Sequence, residues 1–214
     1  MFLGHAGITA RVSRLAEPPT RILLAAMSPA SHLLISWLVA QGGRDRREWA
    51  AITLAGIIPD LDGLGLVAGL AMGSIDLAQD WYARFHHELG HNLWAGLSVG
   101  LLAWFWCRRS WRVAILVLVS FHLHLFCDVI GSRGPDGHQW PIPYVTPFST
   151  WAWTWDGQWE LNAWPNHMIT LLAEAAMLWI AWRHQRSPLG LLSLRADAAW
   201  IGYLRRWFPP RAMS

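Results

Sequence analysis

The chain has 214 residues, of which 54% are hydrophobic and only 14% charged, and its mean hydropathy is +0.24. About a quarter of the residues of a soluble domain are charged, so this composition favours a membrane protein with one helical domain. All 17 basic residues are arginines in small clusters between apolar segments, which argues against a nucleic-acid partner. The two cysteines, Cys107 and Cys127, lie in different apolar segments, which argues against a disulfide scaffold or a thiolate zinc site.

The N-terminal segment, residues 1–26, differs from the rest of the chain because it contains three arginines and a Pro18-Pro19 break. It has no apolar stretch with a small-residue cleavage site after it. We therefore expect translation to start at Met27, which makes residues 1–26 a mis-extended or disordered segment. The first apolar run begins after Met27 and carries His32 near its start. With about 13 apolar residues against the roughly 20 that a span needs, it predicts a marginal transmembrane helix.

The second apolar run, Trp49 to Met72, is interrupted by the sequence IIPDLDGLG. Pro59 cannot continue helical hydrogen bonding, so we expect Asp60 and Asp62 to lie on a turn. Two carboxylates inside an apolar segment are costly unless a partner compensates their charge. A metal ion would pair with both.

A polar stretch with His86 and His91 leads into the third run, Leu93 to Trp106. The fourth run starts at Val113 and ends with His124 and Asp128, four residues apart. Four residues make about one helical turn, so both side chains share a face and suit a divalent metal ion. The alternative is a histidine that is simply hydrogen-bonded to a neighbouring aspartate.

The Trp- and Pro-rich segment 130–166 is too long for a plain connector and predicts an external functional or interfacial loop. A fifth apolar run covers Met168 to Trp182, and residues 188–214 resemble an amphipathic helix at the membrane surface. The predicted fold is therefore all-α, an integral membrane bundle of about five spans. Its embedded domain covers residues 27–187, and the interfacial tail comes after it.

Arginine clusters come after the first, third and fifth apolar runs. The positive-inside rule assigns all three to the cytoplasm, with the N-terminus outside and the C-terminus inside. Every candidate ligand then lies toward the outer face of a bacterial-type inner membrane. The lipid bilayer is one expected partner, and a small or lipid substrate is the other.

Histidine and carboxylate ligands without cysteine suit a divalent metal, with zinc as the first expectation and manganese or iron as alternatives. The candidates exceed the needs of one tetrahedral ion, so the sequence predicts one or two ions. The expected chemistry is hydrolysis by metal-activated water, with Glu88 or Asp62 accepting the proton. Four other histidines are expected to be hydrogen-bonded or interfacial rather than ligands, namely His87, His122, His138 and His167.

Four motifs in order, SPASHLL, GIIPDLDG, HHELGHN and HLHLFCDVIGSRGPDGHQWPIPYVTPFS, cover about residues 27–150. This series resembles the YdjM-like family of inner-membrane-associated metal-dependent hydrolases, often described as LexA-binding. The resemblance implies the metal ligands His32, Asp60, Asp62, His86, His91, His124 and Asp128. The chain departs from the family pattern HRGxTHS at HHELGHN, where a histidine, His87, replaces the arginine. The ligand style is also similar to that of all-helical zinc-dependent phospholipases C and nucleases, which implies phosphoester substrates, including lipid ones.

Two other functions fit the same residues. In an ion- or proton-coupled transporter, the buried Asp and His groups would form an ion path. In a non-enzymatic membrane interaction protein, the polar residues would contact lipid headgroups or a partner. The hydrolase is the preferred interpretation because all the candidate ligands are expected on one side of the membrane.

Overall fold

The computed structural model describes residues 29–77, 81, 86–134 and 137–210. The expectation for residues 1–26 lies outside these described residues. The regular structure of the described part is helical apart from two isolated bridges, Arg133 with Glu160 and Ile142 with Trp153. The predicted all-α class is confirmed.

The described part of the chain contains a succession of α-helices. Their bounds are α1 Pro29–Val39, α2 Arg46–Ala55, α3 Leu64–Ala71, α4 Leu93–Trp106, α5 Trp111–Gly131, α6 Trp164–His184 and α7 Leu194–Trp207. Short 3-10 helices cover Ala40–Gly42, Pro59–Gly63 and Pro188–Leu191. Side chains that accept a backbone N–H fix several helix starts, among them Asp45, Asn92, Ser110 and Ser193.

Helix α5 is the central element and packs against α1, α2 and α4. Its first half contributes Val113 and Val117 to a core with residues of α2 and α4, including Ile52 and Ala103. Its second half contributes a second core, composed of Phe121, Leu125 and Val129 with Ile142 from the Trp-rich segment. The second half of α5 also carries His124 and Asp128, which are both buried.

The arginine clusters meet at one end of this bundle. Arg112, at the start of α5, pairs with Glu48 of α2 and donates to the carbonyl of Gly42. The Nη1 of Arg47 donates to the carbonyl of Trp106 at 3.4 Å, and the guanidinium of Arg186 lies 4.7 Å from the ring centre of Trp49. His124 and Asp128 lie in the other half of α5, away from these arginines.

The expectation of about five spans is wrong for the described residues. One helix, α5, is long and apolar enough to cross a membrane, and α2 joined to the 59–71 segment is a second candidate if their 56° bend is counted within one span. Runs one and three form helices of only 11 and 14 residues. The long helix α6 includes Glu174 and ends with Arg183 and His184, which lower its apolarity.

The bend in the second apolar run lies at Pro59, as the sequence predicts. Helix α2 ends at Ala55, and Pro59 begins a 3-10 turn that carries Asp60 and Asp62 before α3 starts at Leu64. Proline lacks the N–H that a continuing helix would need. The predicted turn position of both aspartates is confirmed.

Asn166, near the start of α6, anchors the long Trp-rich segment to the bundle. Its Nδ2 donates to the carbonyls of Gly131 and Leu161 at 2.8 and 2.9 Å, and its Oδ1 accepts from Nε1 of Trp159 at 2.6 Å. The side chain is buried. One amide thus joins the end of α5, the Trp-rich segment and α6.

We expect Asn166→Ala to destabilise the protein by about 2–4 kcal/mol, since it leaves several buried polar groups without their partner. For a chain of this size the melting temperature should fall by on the order of 10 °C, measured by thermal unfolding in detergent. His167→Ala is the matched control, because the neighbouring His167 ring is exposed and bonds only to the nearby carbonyl of Asn162. Equal melting temperatures for Asn166→Ala and wild type would contradict the anchoring role.

Candidate metal centre

Four segments of the bundle deliver histidines and aspartates to one buried cluster. They are the start of α1, the 3-10 turn after α2, the turn that precedes α4, and the second half of α5. The side chains that meet there are His32, Asp60, Asp62, His86, His87, His91, His124 and Asp128. All seven residues predicted as metal ligands therefore come together.

His124 and Asp128 lie side by side on one face of α5, as their spacing of four residues predicts. Nε2 of His124 lies 3.0 Å from Oδ2 of Asp128. On the other side of the ring, Nδ1 of His124 donates to the carbonyl of Gly56 at 2.8 Å. Since a carbonyl only accepts, Nδ1 carries the hydrogen and Nε2 presents its lone pair to the cluster.

Asp62 orients His86 and His91, which lie on the polar turn before α4. Its Oδ2 accepts from Nδ1 of His91 at 2.9 Å and from the backbone N–H of Gly90 at 3.0 Å, while its Oδ1 accepts from Nδ1 of His86 at 3.0 Å. This is the arrangement in which a carboxylate fixes the tautomer of a ligating histidine. The Nε2 atom of His91 then points into the cluster.

Two lone pairs consequently face each other at the centre. Nε2 of His91 and Nε2 of His124 are 3.2 Å apart, and Oδ2 of Asp128 lies 3.4 Å from the former and 3.0 Å from the latter. With both Nδ1 atoms already donating, these three atoms are all acceptors. They repel one another unless a cation, either a proton or a metal ion, lies between them.

His32 and Asp60 complete the side of the cluster nearest to α1. Nε2 of His32 lies 3.3 Å from Oδ1 of Asp128, and Oδ1 of Asp60 lies 3.5 Å from Nε2 of His124. The rings of His32 and His124 are 3.9 Å apart between centroids. His32 is buried, whereas the side chain of Asp60 keeps 19% of its surface exposed. Asp60 is therefore the ligand candidate closest to solvent on this side.

Three groups of side chains in the described residues have ligand atoms that lie within 4.8 Å of one another. They are His32 with Asp60 and His124, His91 with His124 and Asp128, and His86 with His87 and His91. Histidine nitrogens and carboxylate oxygens of this kind are the ligands of zinc, manganese and iron sites. The coarse prediction of a group that can hold a metal ion is confirmed, and the identity of the metal stays a prediction.

The electrostatics of the polar turn depend on the two carboxylates. Burial alone would lower the pKa of His91, but hydrogen bonds and attraction from Asp128 and Asp62 raise that pKa to about 9. Burial, together with the charges of His91 and His86, holds the pKa of His87 well below its ordinary value. In the absence of a metal, His91 thus carries the proton and His87 is neutral.

The predictions for the other histidines and for Glu88 have different outcomes. His122 and His167 are hydrogen-bonded as predicted, the former through Nε2 to the Tyr144 hydroxyl at 2.7 Å. Glu88 is exposed on the turn and is not part of the convergent groups found among the described residues, so its catalytic role stays a prediction. His87 was expected to lie outside the site, yet it is 4% exposed and belongs to one of the three groups.

Comparison of the chain with protein-family models, curated proteins and solved structures found no match. The resemblance to the YdjM-like family accordingly stays a prediction from the motifs. The geometry of the cluster does not depend on it.

We expect Asp62→Asn to weaken metal binding by about 10–100-fold, the usual effect of losing a carboxylate that orients ligating histidines. The amide keeps the size of the side chain, but its NH2 cannot accept from a histidine or from Gly90. Competition with a chromogenic chelator measures the affinity. Asp156→Asn, at an exposed position of the Trp-rich segment, is the control, and equal affinities of both variants would contradict the orienting role.

Proposed function

We propose that this protein is a membrane-bound, metal-dependent hydrolase whose metal centre is the His/Asp cluster. The observation that carries the proposal is the meeting of three acceptor atoms, from His91, His124 and Asp128, at 3.0–3.4 Å. Buried acceptors at such distances need a shared cation. A divalent ion, with zinc as the first choice, would satisfy all three at once.

A buried polar atom at the cluster supports the fit of a metal. Oδ2 of Asp60 is buried and accepts no hydrogen bond in the described structure. Native proteins leave few buried polar atoms unsatisfied, and an ion is a common explanation for those that remain. The residues that would hold one ion or two are His91, His124 and Asp128, with His32 and Asp60 beside them.

A bound divalent ion supplies Lewis acidity and lowers the pKa of water towards neutrality. The protein's own contribution is to fix the donor atoms. Gly56 and Asp62 each hold a histidine in the tautomer whose Nε2 faces the cluster. Asp60 lies at the most exposed edge of the metal-binding residues and offers an unpaired Oδ2. Since Asp60 is itself a proposed metal ligand, the exposed carboxylate of Glu88 on the His86–His91 turn stays the candidate for the general base.

The exposed apolar surface supports association with a bilayer. Helices α4, α5 and α6 expose large apolar side chains along their length, including Leu102, Phe105, Trp111, Ile115, Leu172 and Trp179. Soluble monomers rarely expose such extended apolar patches. About half of the apolar window of α5, 56%, is buried inside the protein, so the helix serves both the core and the proposed lipid-facing surface.

The proposed orientation rests on the two ends of α5. Arg112 and Asp128 are separated by 16 helical steps, or about 24 Å along the axis, close to the roughly 30 Å thickness of a hydrocarbon core. The arginine end would face the cytoplasm, and the metal centre would lie toward the outer face of an inner membrane. Helix α7 and its exposed Tyr203 and Trp207 would lie at the cytoplasmic interface.

An apolar groove beside the metal centre favours a lipid-derived phosphoester as substrate. The groove encloses about 350 Å³, within the usual range for ligand sites, and it is lined by Leu64, Gly65, Ala68, Met72, Leu77 and Trp81. Nε1 of Trp81 donates to the carbonyl of Asp62 at 3.0 Å, so the groove adjoins the turn that carries both aspartates. An acyl chain would lie in the groove while the headgroup ester reaches the cluster.

The test is metal analysis and hydrolysis by the purified protein in detergent. We expect at least one zinc, manganese or iron ion per chain and release of phosphate or headgroup from a panel of phospholipids and soluble phosphoesters. Removal of the metal by a chelator should abolish turnover, and re-addition should restore it. Absence of stoichiometric metal after reconstitution would overturn the proposal, as would ion flux in liposomes without hydrolysis of any ester.

A further inference from the structure

The cluster contains two sets of ligands that share no residue. One set is His32, Asp60 and His124, and the other is His86, His87 and His91. Within each set the ligand atoms lie within 4.8 Å of one another. Three protein ligands are enough for a catalytic zinc ion, so each set is sufficient by itself.

Asp128 lies between the two sets, and its Oδ2 contacts both, since it is also 3.0 Å from Nε2 of His124 in the first set. Its Oδ1 is 3.3 Å from Nε2 of His32, in the first set. Its Oδ2 is 3.4 Å from Nε2 of His91 and 3.9 Å from Nε2 of His87, in the second set. A carboxylate whose oxygens reach ligand atoms of both sets could be shared between two metal ions.

His87 is the residue that makes the second set complete. Its backbone has φ 72°, in the left-handed region that non-glycine residues rarely adopt. That conformation directs the ring inward, where its centroid lies 4.3 Å from that of His86 and 4.4 Å from that of His91. Its Nδ1 is buried and has no hydrogen-bond partner in the described structure. A strained backbone and an unsatisfied buried ring together indicate a functional constraint rather than core packing.

We propose that His86, His87 and His91 bind a second divalent metal ion, with Asp128 shared between this ion and the one held by His32, Asp60 and His124. The proposal rests on the proposed metal centre and adds a ligand, His87, for which the motif resemblance has an arginine. Two ions joined by one carboxylate contact both the attacking and the leaving oxygen of a phosphoester in known two-metal hydrolases. The second site therefore favours phosphoesters over carboxylic esters as the substrate class.

The test is metal stoichiometry of the full chain in detergent, after removal of all metal and reconstitution with excess zinc. We expect two zinc ions per wild-type chain and one per chain of His87→Ala. His184→Ala is the matched control, since His184 is exposed at the end of α6, on the arginine side of the bundle, and should retain two ions. A second measurement uses cobalt(II), because two cobalt ions that share Asp128 should couple magnetically in wild type and should not in His87→Ala.

The outcomes separate this inference from the proposed function. Wild type that saturates at one ion overturns the second site and leaves the hydrolase proposal intact, while wild type without any ion overturns both. Two ions in His87→Ala overturn the assignment of His87. If His87→Ala does not fold, as judged by circular dichroism and melting temperature, the wild-type stoichiometry and the cobalt coupling still decide between one site and two.

Discussion

The variant His124→Ala is expected to lose metal and hydrolytic activity together. Its Nε2 belongs to two of the three convergent groups, with His32 and Asp60 on one side and His91 and Asp128 on the other. Losing an orienting partner of a ligand costs about 10–100-fold in metal affinity, so losing this shared ligand should cost at least 100-fold. Metal content after gel filtration and the rate of phosphoester hydrolysis measure the two effects.

The matched control for this variant is His122→Ala, two residues earlier on α5. The His122 ring donates from Nδ1 to the carbonyl of Leu118 and accepts from Tyr144 through Nε2, and neither contact belongs to the cluster. We expect this variant to retain metal, although it loses a link to the Trp-rich segment and melts at a lower temperature. A His124→Ala protein with wild-type metal content would show that His124 is not a ligand.

The arrangement along α5 was predictable because it depends on local geometry alone. A spacing of four residues places His124 and Asp128 on one helical face, and the structure has their atoms 3.0 Å apart. The turn at Asp60 and Asp62 is a consequence of Pro59 in the same way, since proline excludes a continuous helix whatever the rest of the fold. Both predictions need only the residues within one or two helical turns.

His87 could not be assigned from the sequence because its role depends on one backbone dihedral angle. With an ordinary negative φ, consecutive residues of a turn point in different directions, and His86 and His87 would not both reach the cluster. With the observed φ of 72° at His87, the ring centroids of His86 and His87 are 4.3 Å apart. The only signal in the sequence is the His-His pair itself beside Gly90, which is weak without coordinates.

The number of spans was overestimated for a different reason. Hydropathy measures the composition of a run, whereas a span also requires an uninterrupted helix of about 20 residues. Helix α4 has an apolar sequence from Leu93 to Trp106 but ends after 14 residues, where Arg108 and Arg109 adopt positive φ. Arg47 of α2 and Arg112 of α5 donate to the carbonyls of Trp106 and Gly42 at this end of the bundle.

The second variant with a large expected effect on metal binding is Gly90→Ala, although glycine has no functional group. A Cβ at this position would lie 2.4 Å from the carbonyl oxygen of Pro59 and 3.0 Å from its Cα. Both are backbone atoms of the turn that carries Asp60 and Asp62, so no side-chain rotation can relieve the overlap. Gly90→Ala must therefore separate the two segments that supply most of the ligands.

This separation should reduce both metal affinity and stability. Gly90 donates its N–H to Oδ2 of Asp62 at 3.0 Å, and the adjacent His91 donates to the same oxygen at 2.9 Å. Moving the turn stretches both bonds and shifts Nε2 of His91 away from His124 and Asp128. We expect at least 100-fold weaker zinc binding, the loss expected for a misplaced ligand with its orienting partner, and about 1–3 kcal/mol lower stability from overpacking.

Chelator competition and thermal unfolding of the metal-free protein separate these two effects. Gly202→Ala on α7 is the control, because a Cβ there meets nothing within 4 Å and an alanine in a helix is more favourable than glycine. That variant should bind zinc as wild type does and melt at the same or a higher temperature. If Gly90→Ala bound zinc with wild-type affinity, the contact between the Pro59 turn and the His86–His91 turn would not position the metal ligands, and the ligand assignment would have to exclude His91.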